Sequence, residues 1–201
     1  MAIPQKKPYV SVDEYLRLER EALDKSEYYA GEIFVMAGGT ATHSTIVMNV
    51  GGELRSLLRG NRCAPYDSNL RIEIPATGLF TYPDVSVICG PIESSPLGDD
   101  MATNPTLIVE VLSDSTEAYN RGGKFAHYRT IPSFREYVLV SQNEPLVEVF
   151  FRRDDGIWQL APVSGLDAAV QLQSLGITLR LAEVYERVEF PEKPPLKPSG
   201  G

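Results

Sequence analysis

The sequence predicts one α/β (α+β) domain in which a central mixed β-sheet is flanked by helices. Three observations predict it. Helix-like and strand-like segments follow one another as helix, hairpin, helix, sheet, helix, sheet. Two segments, residues 80–89 and 106–112, are apolar nearly throughout, the pattern of strands covered on both faces. The 201 residues, 43% of them hydrophobic, suffice for one sizeable core.

In chain order, residues 1–10 and 191–201 read as flexible ends and 11–190 as the single domain. Ser11 with Glu14 three positions later forms a capping box that opens an amphipathic helix to about residue 23. Residues 27–36 resemble two short strands around an Ala30-Gly31 turn. A second helix over 42–58 puts Ile46, Val50, Leu54 and Leu57 on one face, with Gly60 as its stop. Strands follow at 69–74, 80–89 and 106–112, the last two separated by a Pro/Gly/Ser/Asp-rich loop over 90–105 that reads as too polar for core. A helix at 120–130 is weakened by Gly122-Gly123 and ends near Pro132. Strands at 136–141, 146–152, 157–161 and 177–181 and a short helix to 188 complete the pattern.

Composition narrows the function. No apolar stretch approaches the ~20 residues that span a bilayer, and the N-terminus lacks the apolar stretch of a signal peptide, so a cytoplasmic protein without membrane partners is expected. Cys63 and Cys89 read as buried free thiols. The net charge of −8 weighs against tight nonspecific nucleic-acid binding, which rests on Lys and Arg contacts to phosphate. A bound divalent cation can reverse the sign of a local site.

The most informative residues are two acids, Asp84 and Glu110, each set in an apolar strand segment. A buried carboxylate costs several kcal/mol unless it is paired, so two in neighbouring strands point to a shared hard cation such as Mg²⁺ or Mn²⁺. Between Glu27 and Glu192 the sole lysine is Lys124, fourteen positions after Glu110, on the following helix. Lys124 and Tyr128, four apart, share a helix face.

These residues stand in the order Tyr82-Pro83-Asp84, Val109-Glu110-Val111-Leu112-Ser113, then Arg121-Gly-Gly-Lys124 and Tyr128. That series resembles the PD-(D/E)XK nuclease superfamily. More narrowly, with Glu27, Gly31-Glu32-Ile33, Met36-Ala-Gly-Gly39, His43, Asn49, Ile131-Pro132 and Tyr137, it resembles the Uma-two family of restriction endonuclease-like proteins, over about residues 11–188. The resemblance implies a restriction endonuclease-like fold, Asp84 and Glu110 as metal ligands, DNA as substrate and a homodimer. The superfamily lysine would fall at Leu112, which cannot serve. Lys124 matches the displaced position used by some nucleases of this fold, and is assigned as the catalytic lysine. Asn69 and Asn120 stand where many relatives carry Asp.

Other residues keep two readings. His43, Glu27 and Tyr128 are candidates to stand behind the metal ligands, against a cap or structural histidine for His43 and an aromatic anchor for Tyr128. His127 reads as surface. Glu27, Glu32 and Glu53 each offer a third carboxylate. Arg55, Arg59 and Arg71 are candidates for phosphate contact, against solvated charges. Ser113 and Ser115 have no general base in view. The leading expectation is a Mg²⁺-dependent endonuclease. The alternatives are a catalytically inactive nuclease-fold module for binding or dimerisation, and a small-molecule binder whose Glu110 pairs with an arginine.

Overall fold

The computed structural model describes residues 8–191. The expected flexible ends fall outside the described residues at 1–7 and 192–201, and with them Lys6, Lys7, Lys193 and Lys197. α1 (Val12–Glu21) starts at the expected cap, Ser11 Oγ accepting from the Glu14 amide at 3.2 Å, while the Glu14 carboxylate accepts from Arg17 rather than closing the box. β1 (Ser26–Tyr29) and β2 (Glu32–Val35) form the expected hairpin. Ala30 and Gly31 both have positive φ, 50° and 88°, as a two-residue turn matched to strand twist requires.

α2 (Ala41–Leu57) is capped by Thr40, whose Oγ1 accepts from the His43 amide at 3.1 Å. Ile46, Val50 and Leu54 are buried as expected, but Leu57 is 42% exposed and Leu58 takes the inner place. Leu58 is where the helix ends, at φ −91° and ψ 7°, and its side chain joins the buried cluster that also holds Leu54 and Cys63.

The sheet region begins with β3 (Cys63–Asp67), β4 (Arg71–Ile74), β5 (Leu79–Thr81) and β6 (Val85–Cys89). It continues through β7 (Ser94–Ser95), β8 (Gly98–Ala102) and β9 (Leu107–Leu112). After a helical segment come β10 (Glu136–Ser141), β11 (Leu146–Arg152), β12 (Trp158–Ser164), β13 (Ala169–Leu172) and β14 (Ile177–Arg180). Two six-stranded mixed sheets result, ordered β2-β1-β5-β4-β8-β7 and β12-β11-β10-β9-β6-β3, with β13 and β14 as a separate pair. In the second sheet β9 and β10 are parallel and their outer neighbours antiparallel. Among the described residues, no helix is long and apolar enough to cross a membrane.

Several sequence expectations change here. The run 80–89 is two strands in different sheets, divided at Pro83, which cannot donate to a ladder. The loop 90–105 holds β7 and β8, and buries Met101 and Ala102 completely. β13 was not anticipated. Cys63 and Cys89 are directly opposed across β3 and β6 and joined as a disulfide, not free thiols.

β9 justifies its apolar sequence. Val109 and Val111 pack into the cluster beneath α2, while Ile108 and Leu112 enter the cluster built on Tyr128, Phe134 and Tyr137. Alternation along the strand therefore aims Glu110 at the second face. The segment covering that face is α3 (Glu117–Tyr119), a π-helical turn (Asn120–Lys124) and α4 (Phe125–Tyr128). The Gly122-Gly123 pair lies in the π turn, a rare geometry that recurs at functional sites. The chain then closes through α5 (Leu181–Val184), which packs on α2.

Candidate active site

The two acids meet because of strand register. β6 pairs with β9 through Val85↔Val109, and one further step of the same antiparallel register sets Asp84 opposite Glu110. Asp84 Oδ2 accepts from the Val111 amide at 2.7 Å, which fixes the carboxylate against β9. His43, in the first turn of α2, brings Nε2 to 3.3 Å from the same oxygen. The hydrogen bond to Asp84 raises the His43 pKa above its ordinary value, more than burial lowers it.

Glu110 is buried, and Oε1 accepts from both Tyr128 OH at 2.9 Å and Lys124 Nζ at 3.1 Å. Lys124 Nζ also lies 2.9 Å from Glu27 Oε1, which accepts from Thr81 Oγ1 at 2.5 Å. Four separate elements thus converge: β1 gives Glu27, β5 Thr81, β9 Glu110, and the helical segment Lys124 and Tyr128. Burial pushes Glu110 up to about 7, opposed by Lys124 and reinforced by Asp84 and Glu27. Burial lowers the Lys124 pKa, but the combined pull of Glu110 and Glu27 outweighs it and holds the ammonium charged. Tyr128 stays a neutral donor, its pKa driven up first by burial and then by Glu110.

The cluster forms the floor of a cleft of about 660 Å³. Its walls are the β1–β2 hairpin, the Gly38-Gly39 segment leading to His43, the Ser113–Thr116 turn, and Tyr119 and Asn120. Asn120 is buried, and its Oδ1 has no hydrogen-bond partner. Among the described residues no three His, Cys, Asp or Glu side chains gather as a ready-made metal cage. A pair of carboxylates still fits Mg²⁺ or Mn²⁺, which keep several waters and take one or two carboxylates alongside substrate phosphate. Burial first, and then the charges of Asp84 and Glu27, raise Glu110, and a dication set beside the two acids would favour its charged form.

Of the residues singled out in the sequence, the structure brings Asp84, Glu110, Lys124, His43, Glu27 and Tyr128 to this cleft or directly behind it. Tyr128 serves in both weighed capacities, bonding Glu110 through its hydroxyl and packing its ring on Phe134 and Tyr137. Of the three further acids, Glu27 lines the cleft, while Glu32 and Glu53 do not. Glu110 pairs with a lysine, contrary to the arginine of the small-molecule reading.

Arg71 is corrected: it is buried, donates to Tyr82 OH at 2.7 Å and to Asp100 at 3.3 Å, and lines no part of the cleft. Arg55 and Arg59 are exposed near the far end of α2 from His43, about 18 Å along the axis for Arg55. His127 is half-buried at the cleft and packs edge-on against Tyr29 at 4.6 Å, not free on the surface. Sequence reasoning missed Thr81, Tyr119 and Tyr29. An aromatic at 29 and 119 flanking the marked acids was the available signal.

Comparison with known proteins bears on the family and the fold. Residues 12–182 match the model of the Uma2 family, described as "putative restriction endonuclease". The chain is 37% identical over 183 residues to the uncharacterized protein slr1290 of Synechocystis sp. (strain ATCC 27184 / PCC 6803 / Kazusa), covering 91% of this chain and 95% of that one. It is 34% identical over 164 residues to the uncharacterized protein sll1609 of the same organism, covering 82% and 93%. Its fold is similar, at a TM-score of 0.71 and 20% identity, to a crystal structure described as a putative nuclease belonging to DUF820 from Anabaena variabilis ATCC 29413. That match covers 87% of this chain and 97% of the other, and the shared fold is restriction endonuclease-like.

Proposed function

Since this chain belongs to the Uma2 family, we propose that it is a metal-dependent endonuclease that hydrolyses DNA phosphodiester bonds. The observation that carries the reading is the convergence of Asp84, Glu110 and Lys124 on one cleft from elements far apart in sequence. Asp84 and Glu110 are the groups that hold Mg²⁺ or Mn²⁺. When bound, the cation supplies Lewis-acid stabilisation of charge developing on the phosphoryl oxygens.

Lys124, held protonated between Glu27 and Glu110, keeps the third of its three N–H groups to orient the attacking water, and its charge offsets charge developing beside it. Glu27 positions that ammonium and is itself fixed by Thr81. Tyr128 keeps Glu110 aimed into the cleft. The Val111 amide and His43 do the same for Asp84. By analogy with nucleases of this fold, two copies pair so that each site faces one strand. The test is cleavage of plasmid and single-stranded DNA with and without Mg²⁺, beside Asp84→Ala and Glu110→Ala proteins shown to be folded. Divalent-dependent cutting lost in both variants supports the proposal; equal cutting by variants and parent sinks it.

One observation favours a second reading, a nuclease-fold binding or dimerisation module without catalysis. The position two after Glu110 is Leu112, buried in the core, and the substituting lysine is already engaged by two carboxylates. Calorimetric titration with Mn²⁺ separates the two. Binding that disappears in Glu110→Ala supports the enzyme; no binding, or binding indifferent to Glu110, supports the module.

A further inference from the structure

Among the described residues, four aromatic side chains are exposed: Tyr9, Tyr29, Phe34 and Tyr119. Three of them line the one cleft that holds the acid pair. Phe34 is on β2, an edge strand of the first sheet, and Tyr29 at the end of β1, so the hairpin supplies one aromatic wall. Tyr119 supplies the other from the helical segment. A Cβ on Gly123 would come within 2.5 Å of the Tyr119 ring, so this glycine lets the ring lie against the backbone of the π turn. Tyr119 lines the cleft together with Glu27 and Glu110, so the ring stands on the same cleft as the acids.

The charges of the cleft are equally specific. Among the described residues, Lys124 is the one lysine or arginine that lines it, and it is spent on two carboxylates. Among the described residues, the cleft therefore offers no lysine or arginine left free to neutralise phosphate, the usual source of duplex affinity. Exposed rings beside a hydrolytic floor suit a different mode, in which bases stack on aromatic faces. Duplex bases have their faces covered by one another and offer none to a protein ring unless the nucleotide is extruded.

Resting on the nuclease reading above, we infer that the cleft takes unpaired DNA, with bases stacked on Tyr119 and the Phe34–Tyr29 wall and the adjoining phosphate over Asp84 and Glu110. The substrate class is single-stranded DNA or an unpaired stretch within a duplex.

The test is binding of a fluorescently labelled oligodeoxynucleotide, single-stranded or annealed to its complement, followed by anisotropy in Ca²⁺, with Mg²⁺-dependent cleavage of both forms in parallel. The single strand binds at least tenfold more tightly than the duplex. Tyr119→Ala and Phe34→Ala each weaken single-strand binding by about fivefold to a hundredfold, while Tyr119→Phe, which keeps the ring, stays near the parent. The dependence of single-strand affinity on salt is shallow, as few phosphate contacts demand. Equal or tighter duplex binding, or Ala variants that bind the single strand like the parent, would overturn the substrate class. Efficient duplex cleavage in the same experiment would leave the nuclease reading standing. Intact single-strand binding with no divalent-dependent cleavage of either form would overturn the nuclease reading alone.

Discussion

Replacing Lys124 with methionine removes the ammonium between Glu27 and Glu110 and keeps most of the side-chain volume. Breaking a buried ion pair by deleting one partner costs about 3–5 kcal/mol, because the remaining charge stays buried. Here Glu110 has a partial escape, since burial already holds it at about 7 and it can take up a proton. A carboxylate whose folded pKa stands above its unfolded value costs stability as pH rises between those two values. In the parent that interval runs from the ordinary carboxylate value of 4.5 to about 7.

Without Lys124 the folded pKa moves higher still, so the interval extends upward. The difference between parent and Lys124→Met should therefore widen above pH 7, by up to about 1.4 kcal/mol per pH unit, and level off at its smaller value below about pH 7, where Glu110 is protonated in both folded proteins. Loss of packing alone would be independent of pH. Urea unfolding followed through Trp158, the single tryptophan, packed on Phe125 and Phe134, measures it. Adding Glu110→Gln to the variant removes the stranded charge and should recover much of the loss. A Lys124→Met protein as stable as the parent at pH 8, or a deficit constant with pH and untouched by Glu110→Gln, would refute the reasoning.

Two further outcomes follow from the same geometry. Because Glu110 must shed its proton to bind a cation, the apparent Mn²⁺ affinity by calorimetry should climb steeply, approaching tenfold per unit, up to about pH 7 and flatten above it. Leu58→Ala should cost about 2–5 kcal/mol in urea unfolding and Leu57→Ala under about 1, since Leu58 holds the inner place at the end of α2.

Much of the fold and the marked acids were legible because their signals are local. An acid in an apolar strand is visible in one line of sequence, and Asp84 and Glu110 stood out on that ground. The capping box at Ser11 and the Ala30-Gly31 turn are equally local, and the helix and hairpin they mark are present. What stayed hidden depends on which strands become neighbours. Glu27 was one of three candidate acids, and the choice among them needed β1 laid beside β5, a pairing made through Tyr28 and Phe80. Thr81 becomes the partner of Glu27 through that same pairing. The split at Pro83 was obscured because residues on both sides are buried, although in different sheets. In 90–105 Met101 and Ala102 are the residues buried completely, too few to set a period among Gly, Ser and Asp. The Cys63–Cys89 pair required knowing that β3 and β6 are adjacent and in register.

The central claim, that Asp84 and Glu110 serve a hydrolytic cation, is tested most directly by initial rates of DNA cleavage against Mg²⁺ concentration for the parent, Asp84→Asn and Glu110→Gln. Each substitution removes a charge while preserving shape, and circular dichroism establishes that the proteins are folded. The account predicts cleavage by the parent that saturates with Mg²⁺ and is abolished by chelation, with a loss of at least a hundredfold in either variant. Cleavage by folded variants at the parental rate would contradict it.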